Sequence, residues 1–308
     1  MDMKLGFAKW DEIERDAFGR LARMSTWLGP AGTRLYSHRI LVPVDGSPAS
    51  LRALHIALQM GDQHPEAELH LLNVQLHAGN DSLDDTLERQ GLRETATSRA
   101  LLDKFGKGYC LHLTAGVPAE AIRAYACMHG MAEIVMGSHG AGPLERLMIG
   151  SVAMDVAEHS TLPVTLAKAD CRVGEFPAHW VDWLVPIDGS DNALRALEYL
   201  VGHLIHFAEK PQLQLLNVQP GHACPKSQID GEAVCADAIA LLNAEKVPFS
   251  LHIKVGDPVA NILETIAKTG CGHVVMGSRG LGLLGGFTLG SVSQAIARRA
   301  AVPVTLVK

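Results

Sequence analysis

Gly137-Ser138-His139-Gly140, nine residues, then Gly150-Ser151 is a spacing suited to holding a polyanion, and the chain carries it twice. The second copy reads Gly277-Ser278-Arg279-Gly280, nine residues, Gly290-Ser291. Glycines lack the Cβ that would hold a phosphate away from backbone N–H groups, and they tolerate positive φ. Ser151 and Ser291 stand where helix-like stretches begin, so unpaired N–H groups and the helix dipole would attract an anion there. Neither loop runs into Gly-Lys-Ser/Thr, which separates both from Walker-type phosphate binding. A plainer reading stays open: a tight turn, with each serine an N-cap worth about 1 kcal/mol.

The segments around the two loops repeat as well. Each loop follows an apolar run, Ile134 to Met136 or His273 to Met276, and each is followed by Pro-Val-Thr-Leu at 163–166 or 303–306. Val42-Pro43-Val44-Asp45-Gly46-Ser47 returns as Val185-Pro186-Ile187-Asp188-Gly189-Ser190. Leu71 to Gln75 returns as Leu215 to Gln219. The offset is 140 residues from Leu111 onward, 143 at Asp45 and 144 at Leu71, so length changes fall between motifs, as loop changes do. Two domains follow, 38–168 and 181–308, each large enough for its own core, joined by a linker over 169–180 that carries Gly174 and Pro177.

Within each unit, short β-branched runs alternate with stretches of helical spacing such as Leu51, Leu54 and Leu58. Near-continuous apolar strands between helices predict an α/β fold, two doubly wound domains with parallel sheets covered on both faces. Ligands of such sheets bind beyond the carboxyl ends of strands, where the winding reverses. The Asp45 and Gly137 loops both lie there and belong to one site, although Asp45-Gly46 and Asp188-Gly189 also suit simple turns.

Residues 1–37 belong to neither unit. Trp10, Ile13, Ala17, Leu21, Met24 and Leu28 alternate at three and four residues, which predicts an amphipathic helix over 9–28 ended by Gly29-Pro30. Its polar face carries both signs of charge, so packing on the chain's own domains or a sister subunit is expected. Net charge is −6 with pI near 6.2, which offers no footprint for nucleic acid. No run reaches the ~18 apolar residues of a membrane span, and no basic-then-apolar leader is seen, so cytoplasm is the expected location. Six cysteines lack paired spacing and fifteen histidines show no His-x-x-x-His, so no metal site is expected from spacing.

Taken together, Pro-Val-Asp-Gly-Ser, the Asn-Val pair, Gly-x2-Gly-x9-Gly-Ser and Pro-Val-Thr-Leu make the chain resemble a tandem universal stress protein from about residue 39 to the end. The resemblance implies a five-stranded parallel sheet per domain, ordered 3-2-1-4-5, and a stress-response regulator that binds ATP, with Mg2+ as counter-ion. It maps adenine contacts to Pro43, Asp45 and Val74, and to Pro186, Asp188 and Val218. Triphosphate contacts map to Gly137, Gly140, Gly150, Ser151 and Val152, and to Gly277, Gly280, Gly290, Ser291 and Val292, with Met276 and Arg279 also expected to bind the cofactor. It also implies that Val164–Ala167 and Val304–Val307 pair, as an intramolecular pseudo-dimer or between chains of a homodimer.

The two sites differ. Pro143 and Glu145 in the first loop remove a donor and add a negative charge, while Arg279 replaces His139 with a fixed cation. The second site is therefore the expected ATP site. Catalysis finds no support from spacing. The readings carried forward are a nucleotide-dependent regulator with a regulatory protein partner, a non-nucleotide or lipid carrier, and a slow ATP-hydrolysing or autophosphorylating protein.

Overall fold

A computed structural model describes residues 10–15, 21–28, 38–64, 67–76, 83–139, 149–171, 182–205, 207, 210–221, 224–281 and 289–308. The first half holds β1 (Glu12–Arg15), β2 (Leu21–Leu28), β3 (His38–Pro43), α1 (Pro48–Gln63), β4 (Ala67–Gln75), α2 (Leu83–Glu94), α3 (Ala96–Lys104), β5 (Tyr109–Ala115), α4 (Pro118–Met128), β6 (Glu133–Gly137), α5 (Ser151–His159) and β7 (Val164–Ala167). The second holds β8 (Trp183–Pro186), α6 (Asp191–Leu204), β9 (Leu213–Gln219), α7 (Pro225–Val234), α8 (Ala236–Ala244), β10 (Phe249–Val255), α9 (Pro258–Thr269), β11 (His273–Gly277), α10 (Ser291–Arg299) and β12 (Val304–Val307).

Five strands per domain were expected, with Val164–Ala167 and Val304–Val307 meeting; a single sheet of twelve strands is found, ordered β1-β2-β5-β4-β3-β6-β7-β12-β11-β8-β9-β10. The fusion is made by β7 and β12, which pair antiparallel with Val164 opposite Leu306 and Thr165 opposite Thr305. Within each repeat the pairs are parallel, and strand burial is nearly complete in β3, β4, β6 and β11. That is the pattern of strands covered on both faces. One face is shared: α4, α5, α9 and α10 close a single core containing Ile122, Val156, Ile262 and Ile296. The opposite face holds two cores, one around Leu54 and Leu102, the other around Leu197 and Leu242.

The helix expected over 9–28 is corrected to a hairpin. β1 pairs antiparallel with β2, and β2 with β5, Arg23 opposite Thr114 through Leu28 opposite Tyr109. A helix would have left the outer edge of β5 without partners; six residues of β2 satisfy it instead. Ser25, Thr26 and Trp27 suit a strand, and Met24 is buried while Trp10 and Leu28 pack on the first repeat's core. Cys171 is buried in the first repeat's core, and residues 172–181 lie outside the described ones.

Candidate functional site at the strand ends

The helix starts explain how the loops are aimed. Ser47 Oγ accepts from Ser50 N at 3.1 Å to cap α1, and Ser190 Oγ accepts from Ala193 N at 3.2 Å to cap α6. Just before them, Asp45 Oδ1 accepts from Ser47 N, and Asp188 Oδ1 from Ser190 N, both at 3.0 Å. Gly46 and Gly189 follow at φ +77° and +83°, conformations that favour glycine. The aspartates therefore serve turn chemistry with one oxygen and keep the other for something else. In the second strand of each repeat, Asn73 Nδ2 donates to Val44 O at 2.8 Å and Asn217 Nδ2 to Ile187 O at 2.7 Å. These amides fix the carbonyl beside each aspartate loop, a positioning role the Asn-Val pair signalled only as a motif.

In the second repeat a cavity of about 500 Å³ opens at the carboxyl ends of β8, β9 and β11. All ten residues expected there line it: Pro186, Asp188, Val218, Met276, Gly277, Arg279, Gly280, Gly290, Ser291 and Val292. Sequence reading missed Leu216 and Ile262 on its apolar wall, and Gln294 one helical turn beyond Ser291. The i, i+3 spacing of Ser291 and Gln294 was the signal available for the last. Gly290 is the N-cap of α10 and Ser291 its first residue, exposed, with no acidic residue in the first turn. The start of α10 thus presents free N–H groups to the cavity with Arg279 beside them. Loop ends are anchored: Ser278 N donates to Val307 O at 2.6 Å, Gly290 N to Ser278 O at 2.8 Å, and Ser293 Oγ to Gly277 O at 2.9 Å.

The glycines work differently from the sequence expectation. Gly137 and Gly277 are needed for space rather than for positive φ, since the described glycines of positive φ are others. A Cβ on Gly277 would stand 2.8 Å from Asn192 C, and one on Gly137 would stand 2.8 Å from Ala49 C. Both therefore let the first helix of the repeat press against the strand end. A Cβ on Gly280 would lie 2.2 Å from Asp188 Oδ2, so that carboxylate closes directly over the loop.

The first repeat shares the frame. Pro43 ends β3, Val74 lies in β4, Gly137 ends β6, and Gly150 caps α5 ahead of Ser151 and Val152. Gly150 N donates to Ser138 O, and Ser138 N to Ala167 O, both at 2.7 Å. Gly140, with residues 141–148, lies outside the described residues, as do 282–288 of the second loop. A carboxylate distinguishes this repeat. Glu94 Oε2 accepts from Asn73 Nδ2 at 2.9 Å, and Glu94 backbone abuts Gly46. The corresponding neighbour of Gly189 is the apolar Val234. His139 differs from Arg279 in charge as well: burial, then the Lys168 charge, hold its ring below the usual histidine range.

The repeats also cap one another. Lys168 Nζ donates to Ala300 O at 2.9 Å beyond α10, and Lys308 Nζ to Glu158 O at 2.6 Å at the end of α5. Cations at helix C-termini are stabilising. Among the described residues no helix is long and apolar enough to cross a membrane.

Comparison with known proteins agrees with this geometry. A model of the universal stress protein family matches residues 37–168 and again 183–308. A universal stress protein of Mycobacterium tuberculosis (strain ATCC 25618 / H37Rv) is 30% identical over 189 residues, 57% of this chain and 61% of the relative. The chain thus spans about three fifths of the length of such curated relatives. One from Bacillus subtilis (strain 168) is 29% identical over 149 residues, 42% of this chain and 99% of its own. The crystal structure of a universal stress protein from Archaeoglobus fulgidus superposes with TM-score 0.69 at 26% identity, covering 88% of this chain and 98% of that one. With both repeats matched and the fold shared, the chain belongs to the universal stress protein family, as a tandem of two such domains.

Proposed function

We propose that the chain is a stress-response regulator that binds an adenine nucleotide, ATP foremost, in the cavity of its second repeat. One observation carries this reading: ten residues chosen from sequence as nucleotide contacts converge on one cavity at the start of α10. Its size falls in the range of about 300–1,000 Å³ usual for small-molecule sites. The apolar wall of Pro186, Leu216, Val218 and Ile262 suits a flat heterocycle, and the Ser291 end suits phosphates. Asp188 Oδ2 is the acceptor for an amino or ribose hydroxyl group. The first repeat is the weaker site, with Glu94 and His139 where the second has Val234 and Arg279. Regulation follows if occupancy changes the loop that a protein partner reads. The location in cytoplasm and association into homodimers belong to the same proposal.

The test is calorimetric titration of the purified full chain with ATP and Mg2+, with thermal midpoints recorded alongside. A ligand that binds only the folded state raises the midpoint as its concentration passes Kd. Ser291→Asp is the informative variant. An acid at the first helical position favours the fold, yet it repels a phosphate. The expected result is affinity at least about tenfold weaker with an unchanged or higher midpoint without ligand. Ser151→Asp should change affinity less. No heat and no midpoint shift in the unmodified chain would remove the nucleotide reading. A co-purified lipid without nucleotide would put a carrier in its place, and many turnovers of phosphate release an enzyme.

A further inference from the structure

Away from the lining of that cavity, side chains of both repeats meet. His38 stands at the amino end of β3, Glu133 at the amino end of β6, and His64 caps the end of α1. From the second repeat, His203 in the last turn of α6 reaches the same place, with Tyr199 one turn earlier. His64 Nε2 and His203 Nδ1 are 2.9 Å apart, and His38 Nε2 is 2.7 Å from Glu133 Oε1. His203 Nε2 lies 3.9 Å from the same carboxylate oxygen. The His38 ring stacks on His64 at 4.6 Å and meets His203 edge-on at 5.1 Å. One nitrogen from each of the three rings lies within 4.8 Å of the others.

We propose that this seam is a metal-ion site in which His38 and His64 of the first repeat and His203 of the second hold one divalent cation of the zinc class, with Glu133 bonded behind His38. Three imidazole nitrogens are a donor set that such ions accept, usually in a tetrahedron whose fourth place another donor fills. With bonds of about 2.0–2.1 Å, tetrahedral donors sit roughly 3.3 Å apart, inside the 4.8 Å that spans one nitrogen from each ring. Tyr199 OH donates to Glu133 Oε2, which leaves Oε1 turned toward the histidines. A carboxylate bonded to a ligating imidazole fixes the orientation of its ring. The site is nearly closed to water.

Electrostatics favours a cation in this position. Glu133 is fully buried, and its ion-pair partners among the described residues are the histidines themselves. The C-terminal ends of α1 and α6 both point at the cluster, and the last turn of α1 has no basic residue. Two negative helix ends beside a buried carboxylate call for positive charge.

The repeat supplies an internal control. The positions 143 residues away from His203, Tyr199 and His64 hold Met60, Ile56 and Phe207, which are core residues of the ordinary kind. Glu133 corresponds to His273, 140 residues on, which stacks on Trp183 and bonds Thr305 Oγ1 at 2.8 Å. An apolar solution thus exists at the places of His64, Tyr199 and His203, and the seam departs from it at all three. Burying polar rings without need costs stability. A second group, His70, Cys110 and His112, is less suited: His112 already bonds Ser25 Oγ at 2.8 Å and Tyr125 OH at 2.9 Å, with the Arg23 cation near its ring.

The experiment is metal analysis and titration of the full chain, stripped with a chelator and reloaded with zinc or cobalt(II). About one equivalent per chain is expected, with the visible absorption of tetrahedral cobalt. The variant His64→Phe/His203→Met installs what the other repeat already packs, so it should fold. It should bind roughly 100-fold more weakly or not at all. His70→Gln/His112→Gln should keep the equivalent, and chelator should lower the melting midpoint of the unmodified chain but not of the seam variant. The proposal is overturned if the unmodified chain takes up no metal, if the folded seam variant binds it equally well, or if only the His70/His112 variant loses it.

Discussion

Thr165 Oγ1 and Thr305 Oγ1, from equivalent places in the two repeats, lie 2.7 Å apart in the middle of the β7–β12 pair. Both are fully buried, and His273 Nε2 stands 2.8 Å from the second hydroxyl. Thr305→Val should remove a shared partner from two buried polar groups and cost about 1–3 kcal/mol in chemical denaturation. Thr165→Val strands fewer groups and should cost less. The double variant should cost clearly less than the sum of the singles, because the pair is then absent from both sides.

Gly277→Ala and Gly280→Ala should fail for different reasons. At Gly277 the added methyl meets the α6 backbone, so the helix must move, and about 1–3 kcal/mol of stability should be lost with or without nucleotide. Gly137→Ala should behave alike against α1. At Gly280 the methyl meets only the Asp188 carboxylate, which can rotate. Denaturant midpoints should change little there, and the loss should appear in nucleotide affinity measured by calorimetry.

Acid should weaken the first repeat through His112. Burial first, then the charges of His70, Arg23 and His129, push its ring down to about 2. The unfolded chain takes up a proton near the ordinary histidine value of about 6.5 that the folded chain refuses until far lower pH. Stability from this group is therefore complete above about pH 6.5 and declines as pH falls, by roughly 2 kcal/mol at about pH 5. Urea midpoints measured across that interval should slope less in His112→Asn than in the unmodified chain.

Removal of residues 1–37 should uncover β5 along the register from Tyr109 to Thr114 and withdraw Met24 and Leu28 from the core. A lower melting midpoint and concentration-dependent self-association in light scattering are expected, because an unpaired strand edge seeks another. Unchanged mass and midpoint would show the hairpin to be dispensable.

The second cavity was legible because its residues come in short local motifs, each tied to a strand end by the α/β rule. Asp188, Gly277 and Ser291 are far apart in sequence, but each announces its own turn or helix start. The purpose of Gly277 was not legible, since its Cβ space is consumed by Asn192 and Ala193 of another element. The hairpin was missed because its cause lies in β5, whose need for a neighbour overrode a weak helical period. The seam cluster escaped for a similar reason. His38, His64, Glu133 and His203 share no local spacing, and only the folding of α6 against the first repeat brings them together.

The β7–β12 pairing has a consequence for how the molecule comes apart. Because the backbone ladder and the core under α4, α5, α9 and α10 run through the boundary, neither half can melt alone without leaving its twin with a torn rim and an uncovered floor. Heat or urea should therefore meet one cooperative body of twice the usual size, and damage to either copy is felt by both.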